Sequence, residues 1–505
     1  MEALAGLMTG FGVILTPENL LLCLAGSFIG TMVGVLPGVG PLAALALLLP
    51  VTFAMSPVAG VMMLAAIFYG AMYGGSTTSI LLNIPGEAAS VVTCLDGHQL
   101  ARQGRAGAAL GISAIGSFVA GTLSVIALTF FAPVLGEFAI RFGPPENFAL
   151  MVLGLVCTLY MIEGSILKGL LMIALGFLLA SVGIDVVNGQ ERFTFGTVNL
   201  TAGLELLAIV IGLFGVSEIL GNVETIVKNT LLAEKIKGLW PTRDDFRVSW
   251  KPMLRGSGLG FLLGLVPGGG PVTASFVSYA VERRLAKDPS RFGKGALEGV
   301  AGPESANNAS VGGGMIPVLS LGIPGTPVTA LLLGALIIQG VTPGPLFMAQ
   351  RPDLFWGIVA SMYVGNAFLL ILNLPLVGLW VQLLRVPYRI LFPIVLMLSV
   401  VGTYSANKNL FDLWVMLVFG IAGYVLRKLR YDLAPFLIAF VLAPLMEQSL
   451  RQSMSMSPDG AAILVQRPIA ATLLAIAAIL VGLMVRRGLA RKPDLQQQIL
   501  GGTTS

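Results

Sequence analysis

Apolar runs long enough to cross a bilayer recur from one end of this chain to the other, at residues 111–135, 170–187, 354–384, 410–426 and 469–485. About 17 to 25 apolar residues make one helical crossing. Inside hydrocarbon every backbone N–H and C=O must be bonded within the protein, so the crossings must be helices or a closed barrel. A barrel would show short alternating strands, which these continuous runs contradict. The chain is therefore expected to be an all-α, polytopic membrane protein of roughly ten to twelve spans.

Composition agrees. Of 505 residues only 11% are charged and 56% are hydrophobic, against about 25% charged in soluble domains. The formal charge of +5 does not point to nucleic acid, because the Lys and Arg residues fall between spans, where they set orientation. Cys23, Cys94 and Cys157 lack metal-ligand spacing, and Cys23 and Cys157 lie in apolar runs that suit packing. The single histidine, His98, falls in "CLDGHQLARQGR", read here as a polar loop, which argues against zinc-hydrolase and Ser-His chemistry. With neither a GxxxxGK[ST] nor a GxSxG motif, neither P-loop ATP hydrolysis nor an intramembrane enzyme is expected. No metal is expected beyond a transported sodium. The N-terminus lacks the basic region of a cleaved signal peptide.

The chain also repeats itself. "GVLPGVGP" at 34–41 returns as "GLVPGGGP" at 264–271, so Pro37 recurs as Pro267, 230 positions on. "NIPG" at 83–86 returns as "GIPG" at 322–325, with Pro85 and Pro324 separated by 239. Tyr160 and Tyr404, like Gly176 and Gly420, are 244 apart. The order is kept while the offset drifts. This gives an N-terminal segment 1–17, membrane repeat 18–221, cytoplasmic linker 222–256, membrane repeat 257–487 and cytoplasmic tail 488–505. The charges suggest opposite orientations. The linker holds Lys228, Lys235, Lys237, Arg243, Arg247, Lys251 and Arg255, and "VERRLAKDPSRFGKG" follows the second Pro-Gly motif. The first-half counterpart of that stretch, "PVTFAMSPVAG", has no charge. Beyond the next break the contrast reverses, with Arg102 and Arg105 in half one and Arg351 alone in half two. By the positive-inside rule, equivalent loops fall on opposite sides. Two inverted-topology repeats with re-entrant or broken helices are expected.

Proline removes a donor and clashes with the preceding turn, so "LPGVGP" and "VPGGGP" cannot be continuous helix. Such breaks survive at membrane depth where protein or a watery cavity surrounds them. Residues 20–53 and the counterpart in half two read as hairpins that dip in from opposite faces. Paired interruptions in two halves point to a transporter binding site. The helix starts beyond them favour anions, and glycine allows a ligand to approach the backbone. The candidate binding residues are Gly38, Gly40, Gly86, Gly268, Gly269, Gly270 and Gly325, with the polar Ser76, Thr77, Thr78, Ser79, Asn83, Asn307, Asn308, Ser310 and Thr326. Oxygen-rich groups of this kind suit an organic acid or a sodium ion. Glu87 and Glu304 stand beside the breaks, either as functional acids or as helix caps. Against all of this stands a plainer reading, in which the small residues pack helices and the Pro-Gly pairs are kinks.

At these residues, "GTMVGVLPGVGPLAALALLLPVTF", "YGAMYGGSTTSILLNIPGEAASVVTCLDGHQLARQGRAGAALG" and "GPESANNASVGGGMIPVLSLGIPGTPVTALLLGALIIQGVTPGP", the chain resembles the large membrane subunit of tripartite tricarboxylate transporters, the TctA family, over nearly its whole length. The resemblance implies a secondary active importer of di- or tricarboxylates such as citrate, driven by a sodium or proton gradient and free of cofactors. It implies a bacterial inner-membrane location, a small four-span membrane subunit and a periplasmic solute-binding protein as partners, and no nucleic acid. It places residues 34–41, 74–79, 83–87, 264–271, 303–310 and 323–326 at the translocation core. A passive organic-anion channel is the alternative, which a pocket without a ring of Arg or Lys disfavours.

Overall fold

The computed structural model describes residues 2–36, 40–52, 55–139, 141–162, 165–185, 188–224, 238–341, 343–344, 346–384 and 388–490. In the first half the helices are α1 (Glu2–Ile14), α2 (Pro17–Val35), α3 (Gly40–Thr52), α4 (Pro57–Leu82), α5 (Val91–Arg102), α6 (Ala106–Ala139), α7 (Pro144–Met161) and α8 (Ile166–Ala180). A two-residue antiparallel hairpin follows, β1 (Gly183–Ile184) and β2 (Glu191–Arg192). Helix α9 then runs through Leu206–Val210, a π-helical Ile211–Val216 and Ser217–Glu224. The second half holds α10 (Arg243–Leu265), α11 (Pro271–Leu285), α12 (Glu298–Leu321), α13 (Pro327–Ile338), α14 (Pro352–Asn373), α15 (Val377–Leu383), α16 (Tyr388–Asn407), α17 (Leu410–Lys428), α18 (Ala434–Ser455) and α19 (Pro468–Ala490).

Seven of the described helices are long and apolar enough to cross a membrane: α2, α4, α6, α7, α14, α17 and α19. Six shorter apolar helices accompany them. This is a multi-pass membrane protein. Two apolar runs are shorter as helices than as sequence. The run at 170–187 stops at Ala180, where the chain turns into the hairpin that Arg192 pins to Glu447 of α18 at 2.8 Å. The run at 354–384 breaks after Asn373, between α14 and α15. The stretch around His98 is not a loop: it is α5, with His98 Nδ1 3.1 Å from the Ile80 carbonyl.

The centre of the molecule is α4, 94% of whose most apolar window is enclosed by protein, and α12, buried along almost its whole length. The outer rim includes α19, only 17% enclosed. Each central helix receives a neighbour through glycines one turn apart. Gly26, Gly30 and Gly34 of α2 lie against the Met63, Ile67 and Ala71 carbonyls of α4, and a β-carbon on any of the three would collide with them. Gly256, Gly260 and Gly264 of α10 lie in the same way against Gly302, Ala306 and Ser310 of α12. The return contacts match as well, Gly74 on the Thr31 carbonyl and Gly313 on the Phe261 carbonyl. Without side chains the backbones approach closely enough for dispersion to hold them, the main source of helix association in lipid. The packing thus repeats with the same 230 and 239 offsets as the sequence motifs.

The outer helices are exchanged between halves. Gly176 of α8 packs on the Phe436 carbonyl of α18, whereas Gly420 of α17, its sequence counterpart, packs on Val216 of α9. Helices α10 and α11 form a hairpin whose arms are tied by Arg255 Nε and Glu282 Oε1 at 2.9 Å. Its first arm begins at Arg243, inside the stretch assigned above to the linker.

Candidate functional site

All four interruptions read from the sequence are breaks between helices. Helix α2 ends at Val35 and α3 starts at Gly40; α4 ends at Leu82; α10 ends at Leu265 and α11 starts at Pro271; α12 ends at Leu321 and α13 starts at Pro327. Pro37, Gly38 and Val39, the tip of the first motif, lie outside the described residues. At Gly40 φ is +53°, in the left-handed region that glycine enters at least cost.

The polar candidates sort into two groups. The first lies between α4 and α12. Ser76 Oγ donates to Glu304 Oε2 at 2.5 Å, and Thr93 of α5 donates to Oε1. Ser113 of α6 is a third hydroxyl facing the same carboxylate. Glu87 lies over Gly75, its Oε2 accepts the Ala89 N–H, and its Oε1 receives Asn307 Nδ2 at 3.4 Å. Asn307 Oδ1 is buried without a partner. Gly86 fits because it has no side chain: a β-carbon there would strike the Gly34 carbonyl and come within 2.6 Å of Gly75 Cα. Thus residues 228 positions apart close one buried polar knot, with both acids converging on Gly75 and Ser76.

The second group joins the two breaks of half two. Gly268 N–H donates to the Gly325 carbonyl at 2.8 Å. Gly325 and Thr326 N–H both donate to Thr329 Oγ1, at 3.1 and 2.8 Å, and Thr329 N–H donates back to Thr326 Oγ1 at 3.2 Å. These amides, expected above to await an anion, are spent on a capping box. In half one Glu87 and Ser90 form the equivalent box. Gly269 is needed by its own turn rather than for ligand approach, since a β-carbon would strike the Leu263 carbonyl. The start of α11 differs: its N-cap is Gly270, which has no side chain to offer, 2.8 Å from Thr326 Cγ2 for an added β-carbon.

Other candidates serve their own helices. Thr78 and Ser79 hydroxyls donate to the Gly75 carbonyl at 3.2 and 2.9 Å, Ser310 donates to the Asn307 carbonyl at 2.8 Å, and Thr77 is buried beside them. Asn83 is the left-handed C-cap of α4, at φ 59°. Asn308 Nδ2 donates to Ser117 Oγ of α6 at 2.8 Å and borders a cavity of about 20 Å³ with Tyr69, Tyr73, Ser124 and Asn366, room for about one water. The polar stretches of the two halves are also out of register. With the 239 offset, Ser76 aligns with Met315 and Glu304 with Ala65.

Sequence reading missed Thr93, Ser113 and Asp96. Asp96 Oδ1 accepts the N–H groups of Gly293, Gly295 and Ala296 at 2.8 to 2.9 Å, and Oδ2 accepts Tyr279 Oη–H at 2.9 Å. This carboxylate fastens α5 to the loop before α12. An acid in the middle of a helix gives no signal of such a distant partner. Among the described residues no three His, Cys, Asp or Glu cluster as a metal site.

Comparison with known proteins bears on what this core belongs to. The family model "Tripartite tricarboxylate transporter TctA family" matches residues 20–438. The chain belongs to the TctA family. The match spans both central helices, all four breaks and both polar groups. Among relatives, an "Uncharacterized 52.8 kDa protein in TAR-I ttuC' 3'region" of Agrobacterium vitis is 51% identical over 476 residues, covering 94% of this chain and 95% of that protein. An "Uncharacterized protein in TAR-II ttuC' 3'region" of the same organism is 52% identical over 235 residues, 46% of this chain and 97% of that protein. No solved structure matches. TctA proteins are transporter components rather than enzymes, and a tripartite system implies partner subunits.

Proposed function

We propose that the chain is the translocating subunit of a secondary importer for di- or tricarboxylates, driven by a sodium or proton gradient across a bacterial inner membrane. A periplasmic binding protein delivers the anion and a small four-span subunit completes the complex. The observation that carries this reading is the pair of enclosed helices, α4 and α12, each broken at a Pro-Gly turn beside buried oxygen groups. Broken helices of matched halves are where transporters hold substrate, and the charges between spans favour opposite orientation of the halves.

The uncapped start of α11, with Thr326 beside it, is the place for a substrate carboxylate: first-turn N–H groups there lack a side-chain partner and carry about half a positive charge. The boxes at Glu87–Ser90 and Thr326–Thr329 hold the neighbouring amides until the site rearranges. The two polar groups contain no Arg or Lys, so the anion's charge is offset by the accompanying cation.

Uptake of labelled citrate into vesicles carrying the full complex tests the reading. Accumulation that follows a sodium or proton gradient without ATP is expected. Uptake that ignores both gradients and needs ATP overturns the coupling, and currents far above carrier turnover would make the protein a channel instead.

A further inference from the structure

We propose that Glu304, Glu87 and the amide oxygen of Asn307 form the seat of a sodium ion. The inference rests on the import reading above and assigns its coupling ion a place. Both acids are enclosed, Glu87 at 7% exposure and Glu304 at 1%. They share one spot, because Glu87 covers Gly75, Glu304 is held by the adjacent Ser76, and Glu304 and Asn307 are one turn apart on α12. Among the described residues neither acid makes an ion pair with Lys or Arg.

The partners of Glu304 are donors: Ser76 to one oxygen and Thr93 to the other, with Ser113 facing it. Glu87 takes the Ala89 N–H. Two carboxylates lacking a base in a membrane interior are expensive. The start of the helical stretch that Glu87 caps offsets part of one charge.

The independent observation is Asn307. Its Nδ2 reaches Glu87 Oε1 at 3.4 Å, while its Oδ1 is buried with no donor. An unmet buried acceptor carries a full desolvation cost. A proton would serve one acceptor, and on Glu304 it would displace a hydroxyl donor. A metal ion can draw Glu87, Glu304, Asn307 Oδ1 and hydroxyl lone pairs together. All-oxygen ligands select a hard cation, and sodium is the hard cation that the import reading above supplies.

Binding of radioactive sodium to the purified full-length protein, without substrate, tests the seat. Saturable binding to the native protein is expected. Glu304→Gln and Asn307→Ala should weaken it about tenfold or more, and Ser76→Ala about threefold, for ligands and donors to a charged group. Monodispersity on size exclusion shows that each variant is folded; if Glu304→Gln is not, Asn307→Ala and Ser76→Ala decide. Native affinity in folded variants, no sodium binding by the native protein, or equal competition by potassium each overturns the seat. Sodium-driven uptake with unaltered sodium affinity in the variants would refute this site and leave the import reading standing. Sodium binding by a native protein that shows no gradient-driven uptake would refute that reading instead.

Discussion

The break after α4 and the break after α12 share a backbone and differ most in chemistry at the cap residue. Both helices end on a left-handed residue, Asn83 at φ 59° and Gly322 at φ 70°. Pro85 and Gly86 correspond to Pro324 and Gly325, and a capping box follows in each, Glu87 with Ser90 and Thr326 with Thr329. Where half two has a hydroxyl at the cap, half one has a carboxylate. That carboxylate meets Asn307 and lies by the residue that holds Glu304, while Thr326 meets the glycine turn of the α10–α11 hairpin. One scaffold, used twice, carries an acid at one break and a hydroxyl seam at the other.

Exchanging the cap residue should produce the largest effect. Glu87→Thr keeps a capping oxygen, so thermal stability should move by no more than about 1 kcal/mol. Gradient-driven uptake should fall about tenfold to a hundredfold, the range for losing a charged buried partner. Native uptake in this variant would make the difference between the breaks incidental.

The next effect is on stability. Thr329→Ala removes the acceptor for two amides and should cost about 1–2 kcal/mol in thermal denaturation. Ser90→Ala should cost less, because its oxygen accepts only the Glu87 N–H, at 3.4 Å. Equal losses would mean that the two boxes bear equal weight.

The smallest effects concern the left-handed residues. Asn83→Gly should change stability by only a few tenths of a kcal/mol, since both residues tolerate that conformation. The mirror change Gly322→Asn should cost about 1–3 kcal/mol, because its β-carbon would sit 2.8 Å from the Pro343 carbonyl. A melting curve for each variant checks the asymmetry.

The positions of the breaks were legible because Pro-Gly pairs act locally: proline removes a donor wherever it stands in a helix. The glycine spacing was on view too, yet its meaning depended on which carbonyls lay opposite. Gly269 shows the difficulty, since a glycine that serves a ligand and one that serves a turn look alike in one dimension. The pairing of Ser76 with Glu304 was hidden, because alignment of the halves sets Ser76 against Met315. Contacts between the two copies join unlike positions, so a repeat displays the scaffold and conceals the site. Asp96 was missed for a related reason: its three backbone partners lie about two hundred residues away, and main-chain N–H groups leave no trace in composition. The end of α8 escaped notice because the hairpin residues that follow it, such as Val182 and Ile184, are as apolar as the helix.

The exchange of outer helices limits what can serve as a moving part. A body made of residues 2–224 could not swing away from the remainder without peeling α8 off α18 and α9 off α17. The boundary between the two sequence repeats is therefore not a line along which the structure can part without breaking those contacts.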